Sequence, residues 1–107
     1  MPATTIIEIV RQYLMAVAKA GISVDSGVLF GSCARGDQRI DSDIDLVVLS
    51  PRFDRAKTTD DLDLLWKLRR KTDWRIEPIA AGVHEFAEDS SSPILASARH
   101  EGLVIRV

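Results

Sequence analysis

At 107 residues the chain has room for one small domain and none for a separate substrate-binding one. With 46% hydrophobic and 28% charged residues it has the composition of an ordinary soluble protein able to build a core. Fourteen basic against 16 acidic residues leave a net charge of −2. That balance speaks against a dedicated nucleic-acid binder, whose affinity comes from many phosphate contacts, but not against a local basic patch. Cys33 is the single cysteine, so no internal disulfide can form. Glu8 and Arg11 interrupt the region where a signal peptide needs its apolar stretch, and no apolar run reaches membrane-spanning length. The expected setting is cytoplasmic, without membrane contact.

In chain order, Thr5-Ile-Ile-Glu8 has the form of a capping box. Ile6, Ile9, Val10, Tyr13, Leu14 and Val17 then recur at helical spacing, which predicts a helix over about 5–20 closed by Gly21. Val28-Leu-Phe30 fits a buried strand and runs into Gly31-Ser-Cys-Ala-Arg-Gly36, a small-residue segment suited to open a short helix. Ile44-Asp-Leu-Val-Val-Leu49 is the clearest strand, stopped by Ser50-Pro51. Thr59 to Lys71 predicts a second long helix with Leu62, Leu65, Trp66 and Arg69 on one side. Its acids lie early and its bases late, as the helix dipole favours. Trp74 to Ala80 reads as a strand that Pro78 confines to an edge. Ser92-Pro93 starts a helix to about His100, Gly102 closes it, and Leu103–Val107 is a last strand. The order α-β-α-β-α-β-α-β, with one element short, predicts a single α/β domain over residues 1–107. Trp66 and Trp74 are expected in its core.

Asp43 and Asp45 stand two apart at the start of the clearest strand. Strand side chains alternate, so both carboxylates share one face, roughly 6–7 Å apart at Cα, while Ile44, Leu46 and Val48 share the other. Such a pair can converge on one hard cation or bracket two, and carboxylates are proper ligands for Mg²⁺. Upstream, Gly31 lets backbone approach a phosphate and Ser32 adds a hydroxyl. Amides after a strand-to-helix turn form an anion site, and Arg35 lies one turn along to neutralise phosphate charge. Either feature alone has an ordinary explanation, as a tight turn or as solvated acids. Gly-Ser, ten residues, then Asp-x-Asp arises by chance in such a chain only on the order of once in a thousand.

Gly31-Ser-Cys-Ala-Arg-Gly36 followed by Ser42-Asp-Ile-Asp-Leu-Val47 resembles the signature of the minimal nucleotidyltransferases of the DNA polymerase β-like superfamily. The resemblance covers most of the chain, from the leading helix to the closing His100-Glu-Gly-Leu-Val104. It implies a polymerase β palm-like domain with a mixed sheet flanked by helices. It further implies that Gly31 and Ser32 hold the β- and γ-phosphates of ATP, the substrate, and that Asp43 and Asp45 ligate metal, two Mg²⁺ ions in the usual arrangement. A third acid on a neighbouring strand would complete the metal site and help deprotonate the acceptor hydroxyl. Glu77 is the matching candidate, a departure from the usual Asp, and Asp73 is a weaker substitute. Small stand-alone members of the family are paired with a HEPN-domain protein, so the resemblance implies an antitoxin that adenylylates a tyrosine of its HEPN toxin. A non-catalytic antitoxin that neutralises such a toxin by binding is the alternative. Nucleotide transfer to RNA or a small molecule is a third reading, opposed by the missing substrate domain.

Other motifs fail on their own terms. Gly31-x-x-x-x-Gly36 has Asp37 where a P-loop needs Lys. Asp41-x-Asp43-x-Asp45 has Leu46 where a calcium loop needs Gly. His84 and His100 lack ligand spacing and are expected at the surface. Cys33 is expected to be a small packing residue, although a nearby Arg35 would lower its pKa. The Lys67-Arg69-Arg70-Lys71 cluster is expected to be a solvated helix end, with an acidic partner as the minority reading.

Overall fold

The computed structural model describes residues 4–36, 42–89 and 91–107. Asp37 and Asp41, in the link between the Gly-Ser turn and the acid pair, lie outside the described residues. Four strands form one sheet: β1 (Ser26–Phe30), β2 (Ile44–Leu49), β3 (Ile76–Ala81) and β4 (Leu103–Ile105), in the order β3-β2-β1-β4. β1 runs antiparallel to both β2 and β4, whereas β2 and β3 are parallel. A parallel pair needs a long crossover. Here it is supplied by α3 (Arg52–Arg55), α4 (Thr59–Leu68) and a 3₁₀ turn (Arg69–Lys71). The sheet is mixed, as expected, and β3 with its Pro78 is indeed an edge strand.

Alternation along β2 divides the core. Ile44, Leu46 and Val48 pack with α1 (Thr4–Lys19) and α4, through Val10, Tyr13, Leu14, Leu65 and Leu68. Val47 and Leu49 face the other way, with Val28, Phe30 and Ala81, and meet Leu95 and Ala98 of α6 (Pro93–Glu101). The result is helices on both faces of a sheet. Gly27 permits the close approach on the first face, because a Cβ there would stand 2.8 Å from Leu14 Cδ1. The buried Tyr13 hydroxyl donates to the Leu65 carbonyl at 2.6 Å and ties α1 to α4. Leu46 is fully enclosed between these layers. Leu46→Ala is expected to cost about 2–5 kcal/mol, read as a lower urea midpoint at unchanged slope.

Several expectations are corrected. Thr5 lies inside α1 and so cannot cap it; Glu8 pairs with Arg11 at 3.0 Å one turn on. α3 and α5 (Val83–Glu88) were not anticipated. α5 is capped from a distant segment, with the Asp54 carboxylate accepting from the amides of His84 (3.1 Å) and Glu85 (3.0 Å). The last turn of the second long helix tightens to 3₁₀, and β4 stops at Ile105. Trp66 and Trp74 are not core residues but are 43% and 68% exposed. Trp66 follows the inward-facing Leu65 and points off the helix, while Trp74 sits in the turn before β3. Thr58 and Ser92 cap α4 and α6 through their hydroxyls. His84 and His100 are exposed, as expected. No helix among the described residues is long and apolar enough to cross a membrane.

Candidate active site

The chain leaves β1 through Gly31, at φ 75° and ψ −154°. This region is essentially restricted to glycine. A Cβ at this position would also run into the Asp45 carboxylate, so the turn lies directly against the acid. The Gly31 carbonyl accepts from the amides of Ala34 (3.2 Å) and Arg35 (3.3 Å), winding the short α2 (Ser32–Arg35). Cys33 is fully buried below this turn, and its thiol donates to the Asp43 carbonyl at 3.4 Å. The turn and the acid-bearing strand are thereby bonded to each other. Burial pushes the Cys33 thiol up; Arg75, rather than the expected Arg35, opposes that shift, and Asp45 and Asp43 add to it. A packing role for Cys33 follows.

Asp45 lies opposite Phe30 on β1 and opposite Glu77 on β3. It belongs to the α6 face of the sheet but sits at the strand end, where it is only partly covered. Asp43, just before β2, is exposed. The Glu77 carboxyl is within hydrogen-bonding reach of both Asp45 and Asp43. Three acids are thus brought together, including the one that sequence could only nominate. Burial, and then the negative charge of Asp43, push the Asp45 carboxyl above its usual range against a hydrogen bond from Glu77. Glu77 is pushed up by burial and by both aspartates, while Arg69 opposes the shift. The influence of Arg69 on Glu77 was missed from sequence, where it is just another residue of a helix face.

The remaining candidates are placed differently. Asp73 is held by Arg75 through bonds of 2.8 and 3.0 Å and also accepts from the Arg75 amide, so it is committed to that pair. The Arg75 guanidinium holds the Asp73 carboxyl below its usual range despite partial burial. Ser32 is half-buried at the head of α2. Arg35 is exposed and pairs with Glu101 at the end of α6, at 3.2 Å.

Crowded carboxylates that resist joint ionisation make a donor set suited to a hard divalent cation. Among the described residues, no three His, Cys, Asp or Glu side chains are arranged to enclose one ion. Mg²⁺ does not require that, since it commonly takes one or two carboxylates and completes its octahedron with water and substrate phosphates.

Residues 6–98 match the family model for the nucleotidyltransferase domain. The chain belongs to that family. The nucleotidyltransferase fold extends to solved structures. A protein of Sulfolobus solfataricus assigned as a nucleotidyltransferase superposes with a TM-score of 0.63 at 17% identity, covering 94% of this chain and 78% of the other. A toxin–antitoxin structure with AMP-PNP superposes with a TM-score of 0.57 at 24% identity, covering 88% of this chain and 70% of the other. At these identities the likeness is one of fold. A comparison with curated protein sequences gave no match.

Proposed function

We propose that this nucleotidyltransferase domain moves AMP from ATP to a hydroxyl on a partner protein, a tyrosine of a HEPN-domain toxin. The observation that carries the reading is Asp45 flanked by the bare backbone of Gly31 on one side and by Glu77 on the other. A phosphate chain can lie along the Gly31–Ser32 amides, against a surface that no side chain obstructs. Asp43 and Asp45 would hold Mg²⁺, with Glu77 as the third ligand, and the bound metal would neutralise charge on the phosphates and on the leaving pyrophosphate. The acceptor oxygen bonds to the α-phosphorus as the bridge to the β-phosphate breaks, and Glu77 takes up the acceptor proton. Little covalent work falls to the protein; position and charge carry the reaction, which suits so small a domain. The toxin–antitoxin neighbour with its ATP analogue supports the choice of both partner and nucleotide.

The test combines ATP labelled at the α-phosphate, Mg²⁺, this protein and the product of the adjacent gene. Label is expected on the partner and is expected to vanish in Asp43→Asn. A partner that stays unlabelled yet binds and is neutralised by Asp43→Asn would overturn the enzymatic reading in favour of a domain that works by binding alone.

A further inference from the structure

Beside the carboxylates lies a surface that the chemistry does not use. Trp66 and Trp74 are both exposed, and Leu62, one helical turn before Trp66, is 37% exposed. Arg69 organises them. Its guanidinium stacks 4.6 Å from the centre of the Trp66 ring and donates to the carbonyls of Trp74 (2.9 Å) and Ile76 (3.2 Å). Trp74 stands three residues before Glu77 at the start of the edge strand, so their Cα atoms are at most about 10 Å apart. The Trp74 backbone is therefore held at the rim of the acid cluster before any partner arrives. Around the indoles stand Lys67, Arg70 and Lys71, exposed and without an ion pair among the described residues.

We propose that Trp66 and Trp74, joined by Arg69 and ringed by Lys67, Arg70 and Lys71, form the docking platform for the protein that carries the acceptor hydroxyl, through an apolar patch bordered by acidic side chains. This rests on the transfer reading above and names where the acceptor is held. Charge complementarity selects the partner: a basic rim around apolar centres fits acids around an apolar anchor. A single-stranded nucleic acid would need open aromatic faces for base stacking. The Arg69 guanidinium already occupies one face of Trp66, and the chain as a whole is acidic, which favours a protein. A pre-positioned tryptophan next to a reaction centre is also what concentrates binding energy at protein interfaces.

The experiment uses the adjacent gene's product as the probe and reads binding separately from transfer. Binding is measured by calorimetry on Asp43→Asn protein with and without Trp74→Ser, and with Lys67→Glu plus Arg70→Glu. Each change is expected to weaken the Kd by at least about tenfold. In otherwise wild-type protein Trp74→Ser should raise the KM for the partner by a similar factor and leave the KM for ATP unchanged. All the substituted side chains are exposed, so melting temperatures should hold. Partner binding indifferent to the tryptophan and charge changes would overturn the platform alone. No label on a partner that still binds through Trp74 would overturn the transfer reading and leave the platform standing. A raised KM for ATP in Trp74→Ser would reassign that indole to the nucleotide, and binding of a 12-nucleotide single-stranded RNA lost with Trp74 would reassign the surface to nucleic acid. Either result sinks the proposal.

Discussion

Asp45→Asn is expected to abolish transfer while making the fold more stable. The two effects have one cause. Asp45 is forced, half-buried, against Asp43 and Glu77, and its carboxyl is held above the usual range. A carboxyl whose folded pKa is raised adds stability in its protonated form below the unfolded pKa. That contribution is lost as pH rises through the folded value. At neutral pH the ionised group is therefore a net strain on the fold, and the isosteric amide removes it. In metal-free buffer the melting temperature of Asp45→Asn should exceed that of the wild type, with the gap opening as pH rises from acid to neutral. Magnesium should reverse the order. At a free concentration a hundredfold above its Kd, a ligand of the folded state adds about 2.7 kcal/mol, and the variant should gain far less. Activity should fall by at least about a hundredfold, as when a preorganised electrostatic group is removed from a reaction centre. A variant less stable than the wild type in metal-free neutral buffer would mean that the acids are not in mutual repulsion.

Gly31→Ala should be damaging in both respects. At φ 75° and ψ −154° an alanine is strained by about 1–3 kcal/mol whatever surrounds it. Its methyl group would also meet the Asp45 carboxylate, which must turn aside or push the turn away. Either movement displaces the phosphate path relative to the acids. A misplacement of about 1 Å can cost a hundredfold in rate. The expected result is a lowered melting temperature together with loss of nucleotide binding in a titration with a non-hydrolysable ATP analogue. Alanine accommodated with full nucleotide affinity would show that the phosphates do not pass over Gly31. The contrast with Asp45→Asn is itself informative, since one variant loses activity while gaining stability and the other loses both.

What could be read from sequence follows the range of the forces involved. β2 emerges at its expected limits, because its alternating apolar residues end at Ser50-Pro51 and both signals are local. The acid pair and the Gly-Ser turn are legible for the same reason, as each is a short pattern with a specific chemical use. Glu77 could only be nominated. Its place opposite Asp45 depends on the parallel register of β2 and β3, which residues 50–75 set through helices packed elsewhere. α5 was invisible because its cap comes from Asp54, about thirty residues away. Trp66 and Trp74 misled because a large apolar ring suggests burial, whereas an indole also serves at a wet boundary, and Arg69 supplies the polar contact that keeps Trp66 there. Arg35 was legible as a cation near the turn but not as the partner of Glu101, 66 residues on.

The single parallel pairing in the sheet bears on how the gene can vary. Because β2 and β3 lie side by side in the same direction, the position of Glu77 along β3 is tied to the number of residues in the connection that leads into it. Neighbouring residues of a strand face opposite ways, so an offset of one would turn Glu77 from the acid cluster toward the α4 layer and bring Ile76 or Pro78 into its place. Insertions and deletions between Arg69 and Arg75 therefore strike the reaction centre before they strike the core, whereas length changes in the link from β1 to β2 leave this pairing alone. Across divergent copies of this gene, the first connection should keep a constant length and the second should be free to drift.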